Sequence, residues 1–417
     1  MKTYNVVKYW SERDNPCSKT IDKLTDIHLD YLQRQTFGCQ NILDFGPGYG
    51  RMFPAYKFAK KVIGIDVTTQ YKTQLQFAAN KGKFNFELIC KKDNFSNLEF
   101  PDKHFDVVVT SEVLFHQTPN TIEPIMRELN RISRKVVVIS YMNIREKYDF
   151  VGKYTPDQRY CFNYNYYEIC KKNNWNIRCE EWCKNQIMFV YSDYFSFDCN
   201  GKKIKFLFDN DDYYMSRIIK NKNNFYEIKY LEYLKDKILN TESHIIEVGA
   251  YLGNHTIYFS EIIGCKMLYC YEPTPYSFSI MKDNININIK DGKGHILTYP
   301  MAIYDRTGYV NLIKTNPDNP GANQYDYGDK IYCSTLDEMH YNKINNLDFL
   351  KIDVENSEMR VLVGGAKLIN KHKPIIMIEV GKDNILEMTK WINKNRYKRI
   401  ASECFNKNTW LLKRDKI

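Results

Sequence analysis

Asp44 stands two residues before the first of three alternating glycines, Gly46, Gly48 and Gly50, in "NILDFGPGYGRMF"; Glu247 stands in the same place before Gly249 in "IIEVGAYLGNHT". Glycine turns of this kind let backbone approach a ligand closely and present the N-terminus of the helix that follows. A turn that reads a pyrophosphate is apolar at the position of these acids, because phosphate lies nearby. A carboxylate there suits an ammonium or a sulfonium. Each turn also has a second acid downstream: Asp66 follows Asp44 by 22 residues and Glu272 follows Glu247 by 25, each closing the next apolar run. At that point a doubly wound sheet can offer a carboxylate to both hydroxyls of a ribose. A cationic amino-acid end on one side and a ribose on the other are the two parts of S-adenosylmethionine, and the pattern that fits them occurs twice in one chain.

Residues of this kind work only at the ends of parallel strands, and the chain supplies such strands. From Asn41, short apolar runs ("NILDF", "KVIGIDV", "FNFELIC", "FDVVVTS", "KVVVIS") alternate with helical stretches such as "RMFPAYKFA" and "TIEPIMRELNRIS". The second half repeats the plan from "HIIEVGA" through the helix "NHTIYFSEII", "MLYCYEP", "LDFLKIDVE", the helix in "SEMRVLVGGAKLI" and "PIIMIEV". Strands alternating with helices of ten or more residues predict βαβ units and a parallel sheet. Both halves end in helix, strand, turn, strand. The expected fold class is therefore α/β: two Rossmann-like domains, each a doubly wound, mostly parallel sheet with an antiparallel closing hairpin. "NININI" (Asn284 to Ile289) alternates like a strand but directly continues a helical segment, and is read as a helix end. The boundary is placed near Tyr194 to Asp198, giving domains 1–195 and 196–417, with "FSFDCNGKKIKFLF" as a small hairpin at the start of the second.

Composition narrows the function classes. At 417 residues the chain has room for two or three domains, and 43% apolar with 26% charged residues is globular. The longest apolar runs are too short to span a bilayer, and "MKTYNVVKYWSERDN" has no apolar stretch of the secretory kind, so a cytoplasmic protein is expected. Twelve cysteines occur without a C-x-x-C. The concentration at Cys161, Cys170, Cys179, Cys183 and Cys199 matches no zinc spacing, and reduced, mostly buried thiols are expected. The net charge of +10 is spread over both halves rather than gathered in a stripe, which favours nucleic acid only slightly.

At this level of detail the sequence resembles known families. Positions 41 to 191 resemble the class I methyltransferases, methyltransferase type 11-like, through "LDFGPGYG", "GIDVT", "LEFPDKHFDVVVTSEVLFHQTP" and "IMRELNRISRKVVVIS". Residues 198 to about 380 resemble the FkbM methyltransferases through "NGKKIKF", "FYE", "IEVGAYLGNHT", "YEPTPYSF", "MAIYDRTGYVNL", "STLDEM" and "LKIDVENSEMRVLVGGA". Two positions depart from the FkbM pattern. Asn356 stands where glycine is usual, a site that asparagine can serve in a left-handed turn, and Tyr251 stands where asparagine is frequent. The resemblance implies a tandem of two S-adenosylmethionine-dependent methyltransferases.

Methyl transfer from a sulfonium needs the acceptor aligned in line and relieved of its proton. In the first domain His116 follows the fourth strand, where the resembling family often has histidine; it is the candidate base, with a packed imidazole as the alternative reading. Asp44, Gly46, Gly48, Gly50 and Asp66 are the candidate donor contacts, and Asp93 or Asn94, after the third strand, is expected to meet the adenine amine. In the second domain the donor contacts are Glu247, Gly249, Gly253, Asn254 and Glu272. Asp353 and Glu355 alternate in "KIDVE", which predicts that both face one side at a strand's carboxyl end as the catalytic pair; Glu358 and Glu379 are further candidates. Either member of the catalytic pair could accept the proton or, with a divalent ion, orient the acceptor; the spacings leave a divalent metal open and indicate none. Acceptor contacts are expected from Tyr148–Tyr167 and Thr315–Gly328, whose rings could stack on a sugar or base.

FkbM-like domains are similar to enzymes that O-methylate glycans and natural products, so the expected acceptor is a hydroxyl of a sugar, glycan or related small molecule. Two alternatives stand beside this. One is methylation of RNA or DNA, against which "TSEV" and "DVEN" lack the Asn/Asp-Pro-Pro-aromatic stretch used on base amino groups. The other makes one domain a silent cofactor-binding or docking module for its neighbour.

Overall fold

The computed structural model describes residues 23–141, 162–183, 186–208, 214–289, 295–314, 322–401 and 405–414. Its contacts divide the chain into two units, 1–194 and 195–417. The first unit contains β1 (Asn41–Phe45), β2 (Lys61–Asp66), β3 (Asn85–Cys90), β4 (Val107–Ser111), β5 (Val136–Tyr141), β6 (Asn176–Cys183) and β7 (Gln186–Ser192). They form one sheet in the order β3-β2-β1-β4-β5-β7-β6, parallel except for β7, which runs antiparallel to both neighbours. Such a sheet is covered on both faces, which is why its central runs are continuously apolar. Val107, Val108, Val109 and Val136 to Ile139 are all fully buried.

One covering helix shows how sequence sets the packing. In Ile122–Arg131, Ile122, Ile125, Met126 and Leu129 recur at helical spacing and are buried, while Glu123 and Arg127 pair on the outer face at 2.7 Å. Burying four such side chains stabilises the unit by roughly 1.5–3 kcal/mol each. A charge at Met126 would remove that face from the core. The expected helix in "RMFPAYKFA" is only a single 3-10 turn, Phe53–Ala55. Pro54 has no N–H for a longer hydrogen-bond ladder.

The second unit opens with the hairpin β8 (Phe195–Cys199) and β9 (Lys202–Phe206). Its main sheet comprises β10 (His244–Val248), β11 (Met267–Tyr271), β12 (Ile296–Tyr299), β17 (Phe349–Ile352), β18 (Ile375–Glu379), β19 (Tyr397–Ile400) and β20 (Thr409–Arg414). The order β12-β11-β10-β17-β18-β20-β19 repeats that of the first unit strand for strand, with β20 antiparallel to its neighbours. Between β12 and β17 lies an addition that the sequence reading did not separate: a four-stranded sheet of β13 (Ala302–Ile303), β14 (Gly308–Lys314), β15 (Gln324–Tyr327) and β16 (Ile331–Ser334), ordered β13-β16-β14-β15.

"NININI" does end a helix, Pro275–Asn288, opened by its proline. The alternation hides an i, i+4 pair of amides. Asn284 accepts from Leu207 N and donates to Leu207 O, and Asn288 does the same at Lys205, so the helix is fastened to β9 and the chain just after it by side chains that copy peptide pairing. The expected helix "NHTIYFSEII" is α-helical over Asn254–Ile257 and π-helical over Tyr258–Ile263. Among the described residues no helix is long and apolar enough to cross a membrane.

Candidate active sites

Both glycine turns leave the first strand of their sheet with the same backbone. Counting from Asp44, the residues at +2, +4 and +6 are Gly46, Gly48 and Gly50, with φ of 81°, 54° and 85°. Counting from Glu247, they are Gly249, Tyr251 and Gly253, with φ of 84°, 49° and 83°. Three left-handed residues at matching steps curl each turn so that its N–H groups face inward. Gly46 N donates to Ile65 O and Gly249 N to Tyr271 O; Gly50 N donates to Pro47 O and Gly253 N to Ala250 O. Tyr251 therefore adopts a conformation that costs a side-chain-bearing residue about 1–2 kcal/mol. The FkbM-like departure at this position keeps the turn.

The acid after the second strand closes each turn from the other side. Asp66 accepts from Gly48 N and from Thr68 N, both at 3.3 Å. Glu272 accepts from Tyr251 N and Thr274 N, both at 2.9 Å. Each acid thus holds the +4 residue of the turn and the residue two steps after itself. Burial raises the Asp66 carboxyl, against the backbone bonds, and pushes Glu272 up to about 6.

The acids before the glycines differ. Asp44 is buried, accepts from Tyr56 Oη at 2.7 Å, and is pushed up to about 7 by burial, with Asp66 adding to the effect and the tyrosine opposing it. Glu247 is fully buried and accepts from Thr256 Oγ1 at 2.6 Å, while its Oε1 makes no hydrogen bond. That oxygen lies 3.7 Å from Lys351 Nζ, an ion pair beyond hydrogen-bond reach. The sequence reading left Glu247 to the ligand's cation; the fold sets the chain's own ammonium beside it.

A cavity of about 140 Å³ opens over the first turn, lined by Asp44, Gly46, Gly48, Asp66 and His116 among others. His116 sits at the end of the 3-10 turn Leu114–His116 and is buried beside Phe115. Gly50 does not line the cavity. A side chain there would press on Leu75 at 3.2 Å, so that glycine serves the packing of the turn. Asp93 is exposed and outside the lining, while Phe95, two residues on, lines it. Residues 92–94 lie beyond the end of β3 and run outward, which the strand pattern could not show. Arg51 and Glu112 were missed. They line the cavity and pair at 2.5 Å, with Gln186 Nε2 donating to Glu112 at 2.6 Å and the His28 ring bonded to that glutamine. Glu112 has a φ of 60°, a conformation that no sequence pattern announced.

The second cavity, about 50 Å³, is lined by Gly249, Tyr251, Glu272, Asn323, Tyr325, Asp353 and Glu355 among others. Gly253 and Asn254 lie outside it. Asn254 is spent on structure, accepting from Tyr226 N at 3.0 Å and donating to Tyr226 O at 3.1 Å. Asp353 and Glu355 do meet, but not by strand alternation. The strand ends at Ile352, and the chain beyond it turns, with left-handed backbone at Glu355 (φ 48°) and Asn356 (φ 73°). Carboxylate oxygens of Asp353, Glu355 and Glu379 lie within 4.8 Å of one another. Glu358, a further candidate in the sequence, is buried at the start of the helix Glu358–Gly364. It accepts from Asn356 N at 2.9 Å and Asn384 Nδ2 at 3.1 Å, and so braces the turn.

Of the connection Tyr148–Tyr167, residues 148–161 lie outside the described residues. Phe162, Tyr164 and Tyr166 are core side chains rather than cavity rings. Of Thr315–Gly328, residues 315–321 lie outside the described residues, and Asn323 and Tyr325 reach the cavity. Cys170, Cys179, Cys183 and Cys199 take part in no disulfide, and Cys161 lies outside the described residues.

The residues present fit S-adenosylmethionine. Asp44 and Asp66 both line the first cavity, whereas in the second Glu272 lines it and Glu247 lies outside the lining. Each turn is so close to its neighbours that a Cβ on Gly249 would sit 1.8 Å from Asp353 O and one on Gly46 2.4 Å from Val113 Cγ2. Two family models match the chain. The family model described as a methyltransferase domain matches residues 43–139, and that described as a methyltransferase FkbM domain matches residues 247–399. No curated protein matches the chain. Among solved structures, it is similar to magnesium protoporphyrin IX methyltransferase from Synechocystis PCC 6803 with bound S-adenosylmethionine, at 12% identity, TM-score 0.34, over 46% of this chain and 100% of that one. It is also similar to an S-adenosylmethionine-dependent methyltransferase from Clostridium acetobutylicum ATCC 824, at 10% identity, TM-score 0.32, over 41% and 92%. The chain thus joins two S-adenosylmethionine-dependent methyltransferase domains in tandem, the second of them of the FkbM family.

Proposed function

We propose that this chain is a bifunctional S-adenosylmethionine-dependent O-methyltransferase, one site in each unit, acting on hydroxyls of a sugar, glycan or related small molecule. The observation that carries the two-site reading is the repeated turn, left-handed at +2, +4 and +6 and held at +4 by the acid after the next strand. In the first unit Asp44, Gly46, Gly48 and Asp66 hold the donor and His116 takes the acceptor's proton. In the second, Gly249, Tyr251 and Glu272 hold the donor, and the carboxyls at the end of β17 serve the acceptor. A carboxyl or imidazole poised near neutrality suits removal of a hydroxyl proton as the methyl arrives. The donor supplies an electrophilic methyl group; everything else asked of the protein is alignment, exclusion of water and a place for one proton.

The experiment is incubation of the full chain with isotopically labelled S-adenosylmethionine and a panel of glycans, with label mapped by mass spectrometry. Label on a carbohydrate oxygen is expected. Transfer to RNA with none to any carbohydrate would contradict the substrate class.

A further inference from the structure

One buried side chain separates the second cradle from the first. On the neighbouring strand Asp44 is opposite Val109, whereas Glu247 is opposite Lys351. The Lys351 side chain is 3% exposed. Its Nζ lies 3.1 Å from Asp353 Oδ2, 3.2 Å from Gly249 O and 3.7 Å from Glu247 Oε1. A buried ammonium persists only where oxygens replace its water. Here they come from the floor of the cradle, its first glycine and the cavity wall.

On the far side of Asp353 stands Glu379. Ile352 and Ile378 are paired across β17 and β18, so Asp353, just past the end of β17, stands beside Glu379, the last residue of β18. Glu355 curls back to complete the group of three. Three carboxyls this close do not all ionise together. Burial works most strongly on Asp353 and against its charge, but the Lys351 charge, the bonds from Glu379 and Lys351 and the charge of His255 together outweigh it, and the carboxyl lies below its ordinary value. Burial and the neighbouring Asp353 raise Glu379, with Glu355 and Glu227 adding to the rise. Glu355 is pushed up to about 7 by burial, then by Asp353 and Glu358, with Lys314 opposing.

We propose that Lys351 is a positioning residue of the second site: by fixing Asp353 as an anion against the Gly249 turn, it makes Glu355 the group that accepts the acceptor's proton. The proposal rests on the reading of this unit as a hydroxyl methyltransferase. In the transfer the acceptor oxygen gains a bond to the methyl carbon, and the carbon–sulfur pair returns to sulfur, leaving a neutral thioether. The O–H proton passes to the Glu355 carboxylate. Glu355 lines the cavity, whereas Glu379 is not among the lining residues and keeps its proton out of the path. Asp353 does not titrate in the working range. It sets the level at which Glu355 does.

The test is pH-dependent infrared difference spectroscopy of the full chain, reading protonated carboxyl groups, with calorimetry of S-adenosylhomocysteine binding on the same samples. In every sample the first cradle is blocked by Gly46→Val combined with Asp44→Asn, which takes the other carboxyl pushed up to about 7 out of the spectrum; Glu272, pushed up to about 6, is a constant background. A carboxyl step near neutrality is expected that Glu355→Gln removes and Asp353→Asn lowers by about one pH unit or more. In Lys351→Met/Glu355→Gln a near-neutral step returns, now from Asp353, while Lys351→Arg keeps the wild-type pattern. If Lys351→Met does not fold, Lys351→Gln/Glu355→Gln takes its place, and a spectrum in which no near-neutral step returns in the folded double variant overturns the proposal. A near-neutral step that survives Glu355→Gln with Lys351 intact, or a Glu355 step unmoved by Asp353→Asn, overturns the proposal. Absence of S-adenosylhomocysteine binding overturns the donor reading beneath it instead.

Discussion

At the scale of single residues, two acids in matching places meet different neighbours. Asp44 faces Val109 and is pushed up to about 7, chiefly by burial. A cationic donor needs it charged, so donor affinity at the first site should strengthen as pH rises through about 7. Asp44→Asn should weaken binding roughly 10- to 100-fold and flatten that profile, in line with the ~1.5–3 kcal/mol typical of a hydrogen bond to a charged group. Calorimetry across pH, with the second cradle blocked by Gly249→Ala, checks this; a flat wild-type profile would refute it. Asp44, Asp66, Glu247 and Glu272 were legible in the sequence because strand-end acids keep fixed distances from a glycine turn. Lys351 was not. Its partner is set by the register of β10 against β17, more than a hundred residues apart, which periodicity cannot supply. The carboxylates of Asp353 and Glu355 do lie close together, but past the end of the strand and with left-handed backbone at Glu355, where alternation along a strand was expected.

The glycine turn is the element on which both sites depend, and its positions differ in tolerance. Gly249 has a φ of 84°, and a Cβ there would meet the backbone oxygen of Asp353 at 1.8 Å, a contact no rotamer change relieves. Gly249→Ala should abolish donor binding at the second site. Gly48 has a φ of 54° with open space around it, and Tyr251 already holds the matching position in the other unit. Gly48→Ala should cost about 1–2 kcal/mol of stability and leave donor binding within a few-fold. Thermal denaturation and calorimetry of the two variants separate the cases, and equal effects would contradict the account of the turn. The strand–helix alternation that announces the two large sheets was legible because parallel strands buried on both faces are long apolar runs. The four-stranded sheet of the second unit was not. Its strands are short and half exposed, as in β14, where Tyr309 and Ile313 face water and only Val310 is fully buried. Asn254 shows the complementary failure: a polar residue in a motif was read as a ligand contact, and the fold uses it to hold Tyr226.

For the molecule as a whole, the donor cavities store a pH dependence. Asp44, Glu355 and Glu272 lie at about 7, 7 and 6, above the ordinary carboxyl range and chiefly through burial. The folded chain therefore binds protons that the unfolded chain has released. Their stabilising contribution is complete below the ordinary carboxyl value and is lost as pH rises through about 6 to 7. Ligand-free protein should melt at a higher temperature near pH 5 than near pH 8, by thermal denaturation at constant ionic strength; the reverse order would show that these carboxyls are not held protonated. The most direct test of the central claim is calorimetric titration of the full chain with S-adenosylmethionine. Two binding sites per chain are expected, one of which disappears in Gly46→Val and the other in Gly249→Ala. No heat of binding, or a single site that survives both substitutions, would contradict the claim that this chain builds the same donor cradle twice.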